Sequence, residues 1–153
     1  EEVVEITELA AKEVEKFNIK PRIALLTYSN FGSVADGPAA IKMRKAVEIL
    51  KDKHPNMVVD GEMQAHLAFD TELLKQNHPF SDLAEGRANT LIFPNLSSSN
   101  IAYNLVKEVA GIEKIGPIVM GLKKPVHVLQ LGASVREIVD MVAIAVTDAQ
   151  NNS

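Results

Sequence analysis

RIALLTYSNFGSVADGPAAIKMRKAVEILKDKHPNMVVD, residues 22–60, decides the fold class. RIALLTY (22–28) is a compact apolar run behind Pro21 and reads as a buried strand. NFGSVADGP (30–38) is a loop of turn-forming residues. Between 38 and 53, Met43, Ala46, Val47 and Leu50 recur at i, i+3, i+4 and i+7, the spacing of one helix face. His54-Pro55 stops this helix, because the residue before a proline is pushed away from helical geometry. MVVD (57–60) reads as a short second strand.

The same alternation continues on both sides. Val3, Ile6, Leu9, Ala10, Val14 and Phe17 predict a helix over 3–17. One or two short helices are expected over 63–76, and TLIF (90–93) is a strand closed by Pro94. Ile101, Leu105, Val106 and Val109 share one face of a helix over 98–110, with Gly111 in the position after its end. PIVM (117–120) and VHVL (126–129) are the last strand candidates. A final helix over 134–149 is apolar on most faces from Met141 onward and is expected to be well buried. Strands alternating with helices predict an α/β layered domain with a largely parallel sheet. No internal repeat, low-complexity segment or linker divides the chain.

Composition narrows the classes of function. A chain of 153 residues is one domain or two small lobes, and it can bury about 70% of its unfolded surface without staples. With no cysteine, disulfides, thiolate catalysis and thiolate metal sites are excluded. A formal net charge of −4 without a basic run speaks against nucleic acid as the main partner. No apolar stretch is long enough for a membrane span and no signal segment opens the chain, so a cytoplasmic location is expected. The chain starts at Glu1 rather than Met, at or inside a helix, and is expected to be part of a longer protein.

Four places are candidates for chemistry. The loop Tyr28-Ser29-Asn30-Phe31-Gly32-Ser33 lies between a buried strand and a helix, where open α/β sheets bind ligands. Its small hydroxyl residues and glycine would let backbone N–H groups approach a phosphate, although no P-loop motif is present; the alternative is a polar turn. Asp60-Gly61-Glu62 could offer paired carboxylates, but Asp-Gly is strong turn chemistry and the set reads as a turn. Of the histidines, 54 and 78 precede prolines in expected exposed turns, while His127 lies in an apolar run and reads as a satisfied core or cleft side chain. No zinc-binding spacing and no nucleophile elbow occur, and no metal site is expected. HVLQLGASVREIV (127–139) has the outline of strand, tight turn and helix entrance. Its Ser134-Val135-Arg136-Glu137 matches the capping box, in which serine and glutamate each satisfy the other's backbone N–H.

Five segments in order, LLTYSNFGS (25–33), VVDGEMQ (58–64), LIFPNLSSSNIAYNLV (91–106), IGPIVMGLKKPVHVL (115–129) and SVREIVDMVAIAV (134–146), resemble the carboxyl-terminal part of the phosphate acetyltransferase (phosphotransacetylase) family. The forms YSNFGS, DGEMQ, NIAYN and KPVHVL are similar to a subgroup, the region fused behind bacterial NADP-dependent malic enzymes. The resemblance implies a three-layer α/β/α fold of the isocitrate and isopropylmalate dehydrogenase type, two-lobed and dimeric. Residues 1–153 would then be the second lobe plus the closing helix, with most of the first lobe upstream.

Active members carry Ser-Arg where Gln130-Leu131 stand in this chain, and an acidic residue that matches Glu137. In them the arginine would hold the acyl phosphate, the serine would hydrogen-bond at the reacting centre and the acid would serve in base catalysis. Leucine cannot replace arginine's planar, charged fork, and Arg136 is out of register with it. The resemblance therefore implies a non-catalytic regulatory and oligomerisation domain that senses acetyl-CoA or a related CoA ester. NADP and a divalent metal would belong to upstream malic enzyme domains, and the fragment itself would hold no cofactor. The expected ligand contacts are Ser29, Asn30, Gly32, Ser33, Gln130, Gly132 and Ser134. Two alternatives stand beside this reading: an active acetyl transfer between CoA and phosphate, and a pure assembly domain without ligand.

Overall fold

The computed structural model describes residues 1–112 and 114–151, which divide into two compact units, Glu1–Asn100 and the remainder from Ile101. In the first unit, helix α1 (Glu2–Glu15) leads to strand β1 (Arg22–Leu26), helix α2 (Pro38–Lys53), strand β2 (Val58–Met63), the short helix α3 (Thr71–Asn77) and strand β3 (Thr90–Ile92). The strands form a parallel sheet in the order β2-β1-β3, as the alternation requires. Proline at the first helical position opens α2, and its N–H would be unpaired there in any residue.

β1 is central and buried on both faces. Its odd members, Ile23 and Leu25, join a core with Met43, Val47 and Leu50 of α2, Val4 and Ala11 of α1, Val59 and Ile92. Its even members, Ala24 and Leu26, join a second core with Met63, Leu67, Leu74 and Leu83. The period-2 alternation of a strand thus places helices on one face and α3 with its flanking turns on the other.

β2 runs farther than the sequence predicts. Asp60, Gly61 and Glu62 do not turn; they continue the strand, with Asp60 and Glu62 both buried. Leu25 pairs with Gly61 and Leu26 with Met63, so Glu62 is the extra residue of a bulge. Gly61 has φ +140°, and a Cβ there would lie 2.6 Å from the Leu25 carbonyl oxygen. The glycine that signals a turn in the sequence serves a bulge instead.

Helix α4 (Leu96–Ala110) begins two residues earlier than expected, where Asn95 caps it by accepting the Ser98 N–H at 2.9 Å, and Gly111 with φ +59° follows its end. The second unit continues with α5 (Val135–Asn151). The two last strand candidates, PIVM and VHVL, are not strands. A strand exists only where another strand satisfies its backbone groups, and among the described residues the sheet is made of β1 to β3. Among the described side chains of helix α5 only Met141, Ile144 and Asp148 are buried, whereas Val135, Val139, Val142 and Val146 are exposed. The expectation of a well-buried helix is corrected accordingly. Ile101, Leu105, Val106 and Val109 of α4 share a face as predicted, and that face too is exposed. Among the described residues no helix is long and apolar enough to cross a membrane.

Candidate functional site

The loop after β1 is organised around Glu62. The bulge in β2 turns this side chain, which is wholly buried, under residues 29–34. Glu62 Oε1 accepts the Ser29 hydroxyl at 2.8 Å, the Gly32 N–H at 2.9 Å and an Arg44 Nη2–H at 2.9 Å, and Oε2 accepts Arg44 Nε–H at 3.0 Å. Arg44 reaches in from α2 with the two-pronged geometry that guanidinium and carboxylate share. Burial by itself would push the Glu62 carboxyl up, but the hydrogen bonds from Arg44, Gly32 and Ser29 outweigh it and hold the pKa at about 2. The hydrogen bond to Glu62 in turn raises the pKa of Arg44.

The backbone N–H groups of residues 29–34 are all used within the chain. The N–H of Ser29 goes to Thr27 Oγ1, that of Asn30 to Ser33 Oγ and that of Phe31 to the Glu62 carbonyl. Those of Gly32, Ser33 and Val34 go to the Glu62 carboxylate, the Asn30 carbonyl and Ser29 Oγ. Asn30 Oδ1 accepts the Gln64 N–H at 2.7 Å. Ser29, Asn30, Gly32 and Ser33, the contacts expected from the sequence, are brought together here. The N–H groups expected to face a phosphate face the chain's own carboxylate and hydroxyls instead, because a carboxylate presents the same acceptors that a phosphate would. Asp60 is likewise structural: Lys51 Nζ lies 3.2 Å from Oδ1, and Oδ2 accepts the Asp82 N–H at 2.9 Å.

The second unit contains a separate cleft of about 250 Å³. Its walls are residues 129–133, Lys107 of α4, Lys114, Gly116, and Glu137 and Met141 of α5. Gln130 and Gly132 therefore line a cavity, and so does Leu131, whose side chain is otherwise in solvent. Lys114 Nζ donates to Gln130 Oε1 at 3.2 Å and stands 4.0 Å from Glu137 Oε1. The capping box forms as predicted: the Ser134 N–H donates to Glu137 Oε2 at 2.7 Å and the Glu137 N–H to Ser134 Oγ at 3.2 Å. Hydrogen bonding to Ser134, assisted by Lys114 and Lys107, holds the Glu137 carboxyl below its ordinary range. A carboxylate so engaged is a weak proton acceptor. Arg136 points along the helix, its Nε 4.0 Å from Asp140 Oδ2, and does not line the cleft.

Sequence reasoning set Glu62 aside as part of a turn, and missed Arg44 and the two lysines as site residues. For Glu62 a signal existed, since a lone glycine within a strand pattern marks a bulge. For Lys114, which precedes the cis Gly116-Pro117 peptide, no local signal did. His127 is not in a strand, yet its side chain is almost fully buried, with Nε2 3.2 Å from Asp148 Oδ2. Among the described residues no three His, Asp or Glu side chains converge as a metal site.

Comparison with known proteins identifies the family. The family model for phosphate acetyl/butaryl transferase matches residues 1–146. The chain is 45% identical over 150 residues to an NADP-dependent malic enzyme of Haemophilus influenzae, covering 98% of this chain and 20% of that enzyme. It is 40% identical over 151 residues to a phosphate acetyltransferase of Clostridium acetobutylicum, covering 98% of this chain and 45% of the other. Among solved structures, a phosphotransacetylase from Streptococcus pyogenes superposes with a TM-score of 0.90 at 37% identity, over 98% of this chain and 45% of that one. The chain thus spans about a fifth of the malic enzyme and less than half of the transferase.

Proposed function

From the premise that the chain belongs to the phosphate acetyl/butaryl transferase family, we propose that it is a non-catalytic regulatory domain of a malic enzyme, one that binds acetyl-CoA and does not transfer the acetyl group. The observation that carries this reading is the side-chain set of the 129–133 cleft. It offers two lysines, an amide and a capped carboxylate, and no arginine. Where the family's active members carry Ser-Arg, Gln130 is spent on Lys114 and Leu131 holds no charge. Losing one preorganised donor to developing charge costs about 10²–10³ in rate, and here the donor and its neighbour are both replaced. The lysines and the amide still suit the polar end of a small ligand. A 250 Å³ cleft accepts the acyl end of a CoA ester, not the whole molecule.

On this reading NADP and a divalent metal act in the other domains of the parent polypeptide. The exposed apolar faces of α4 and α5 suit assembly into a homo-oligomer in the cytoplasm. Acetyl-CoA would regulate by binding one global state more tightly than another. The test is an acyl-transfer assay on the parent protein with acetyl-CoA and phosphate. The reading expects no phosphate-dependent release of CoA; enzyme-like turnover would replace it with an active acetyltransferase.

A further inference from the structure

We propose that the carboxylate of Glu62 is the resident anion of the loop after β1, so that this loop is an anion site already filled by the chain itself. The donor set is that of an anion cradle: a hydroxyl, a loop N–H and a guanidinium converge on one buried acceptor. A loop of small residues at the carboxyl edge of a parallel sheet is where such cradles bind phosphates. Here the bulge delivers a side chain from the neighbouring strand into that position, and Gly61, which admits no Cβ, makes the delivery possible. Ser29 Oγ is held in the same role from the other side, donating to Glu62 and accepting the Val34 N–H. Glu62 therefore acts as a positioning residue for the loop. An external anion enters only by displacing it. This inference does not depend on the acetyl-CoA reading, which rests on the cleft of the other unit.

Formate, acetate and inorganic phosphate are the probes, and the backbone amide resonances of Gly32 and Val34 are the readout, on the full chain. In the unsubstituted protein neither amide shifts with any of the three. Glu62→Ala removes the resident carboxylate and leaves its donors and its space. There, formate shifts the Gly32 amide saturably and raises the thermal midpoint, and chloride at equal ionic strength acts about tenfold more weakly because it does not match the guanidinium fork. Glu62→Gln keeps the shape and removes the charge, so the Gly32 amide proton moves upfield and formate does not enter. Should Glu62→Ala fail to fold without additive, formate restores its folded spectrum and chloride does not. The proposal is overturned if phosphate shifts the Gly32 amide of the unsubstituted protein, if formate and chloride act alike on Glu62→Ala, or if Glu62→Gln leaves that amide in place.

Discussion

Two stretches share one outline, an apolar run, a turn of small residues and a helix entrance: RIALLTYSNFGS (22–33) ahead of α2, and VHVLQLGAS (126–134) ahead of α5. The first forms a strand buried between two partners, and its turn is saturated with internal hydrogen bonds. The second forms no strand, and its turn stands open, with Leu131 in solvent and a cleft beside it. Apolar content does not separate them. What separates them is the supply of partners: β2 and β3 satisfy the backbone of β1, and Glu62 satisfies the turn after it. The lesson is that a closed loop of this kind is structural support, while the open one is free to meet a ligand.

The largest effect that could break this contrast lies at Glu62. Glu62→Ala leaves the buried Ser29 hydroxyl, the Gly32 N–H and the partly exposed Arg44 guanidinium without their acceptor and is expected to cost about 1–3 kcal/mol in denaturant unfolding. A loss below about 1 kcal/mol would make the two loops equals.

The same carboxylate gives a pH signature. Its folded pKa of about 2 lies below the ordinary value of an unfolded glutamate, so the unfolded chain takes the proton first. The stabilisation is complete above about pH 4.5 and is lost as pH falls towards 2. Denaturant midpoints measured down this range are expected to fall steeply in the unsubstituted protein and less so in Glu62→Gln. Parallel curves would contradict the assignment.

The exposed face of α4 sharpens the contrast from the other side. Leu105→Glu is expected to weaken self-association about tenfold in sedimentation velocity, because a charge set against an apolar partner is costly. An unchanged distribution would remove that face from the assembly. The smallest effect is at the cap of α5: Ser134→Ala is expected to cost about 1 kcal/mol, read as a lower thermal midpoint.

How far the sequence was legible follows from the same contrast. Local signals were read correctly where they act locally. His54-Pro55 ends α2, Ser134 and Glu137 close the capping box, and Gly111 follows α4 in a left-handed conformation. The parallel β1-β2 pair followed from alternation alone. Features decided by distant partners were misread. VHVL has strand composition but no strand beside it. Val142 and Val146 look like core residues, yet nothing in a helical period says what covers them. Asp-Gly at 60–61 is turn chemistry in isolation and becomes a bulge only because Leu25 lies opposite. Glu62 and Arg44 are 18 positions apart and meet through the packing of α2 on β2, which no local pattern records.

The central claim, that the open cleft binds acetyl-CoA without turning it over, is tested most directly by calorimetric titration of acetyl-CoA into the intact parent protein, with free phosphate as the control ligand. The account predicts a saturable heat for acetyl-CoA, and a stabilisation of about 2.7 kcal/mol at a hundredfold excess over Kd. A flat trace for acetyl-CoA would contradict it and leave the domain an assembly module.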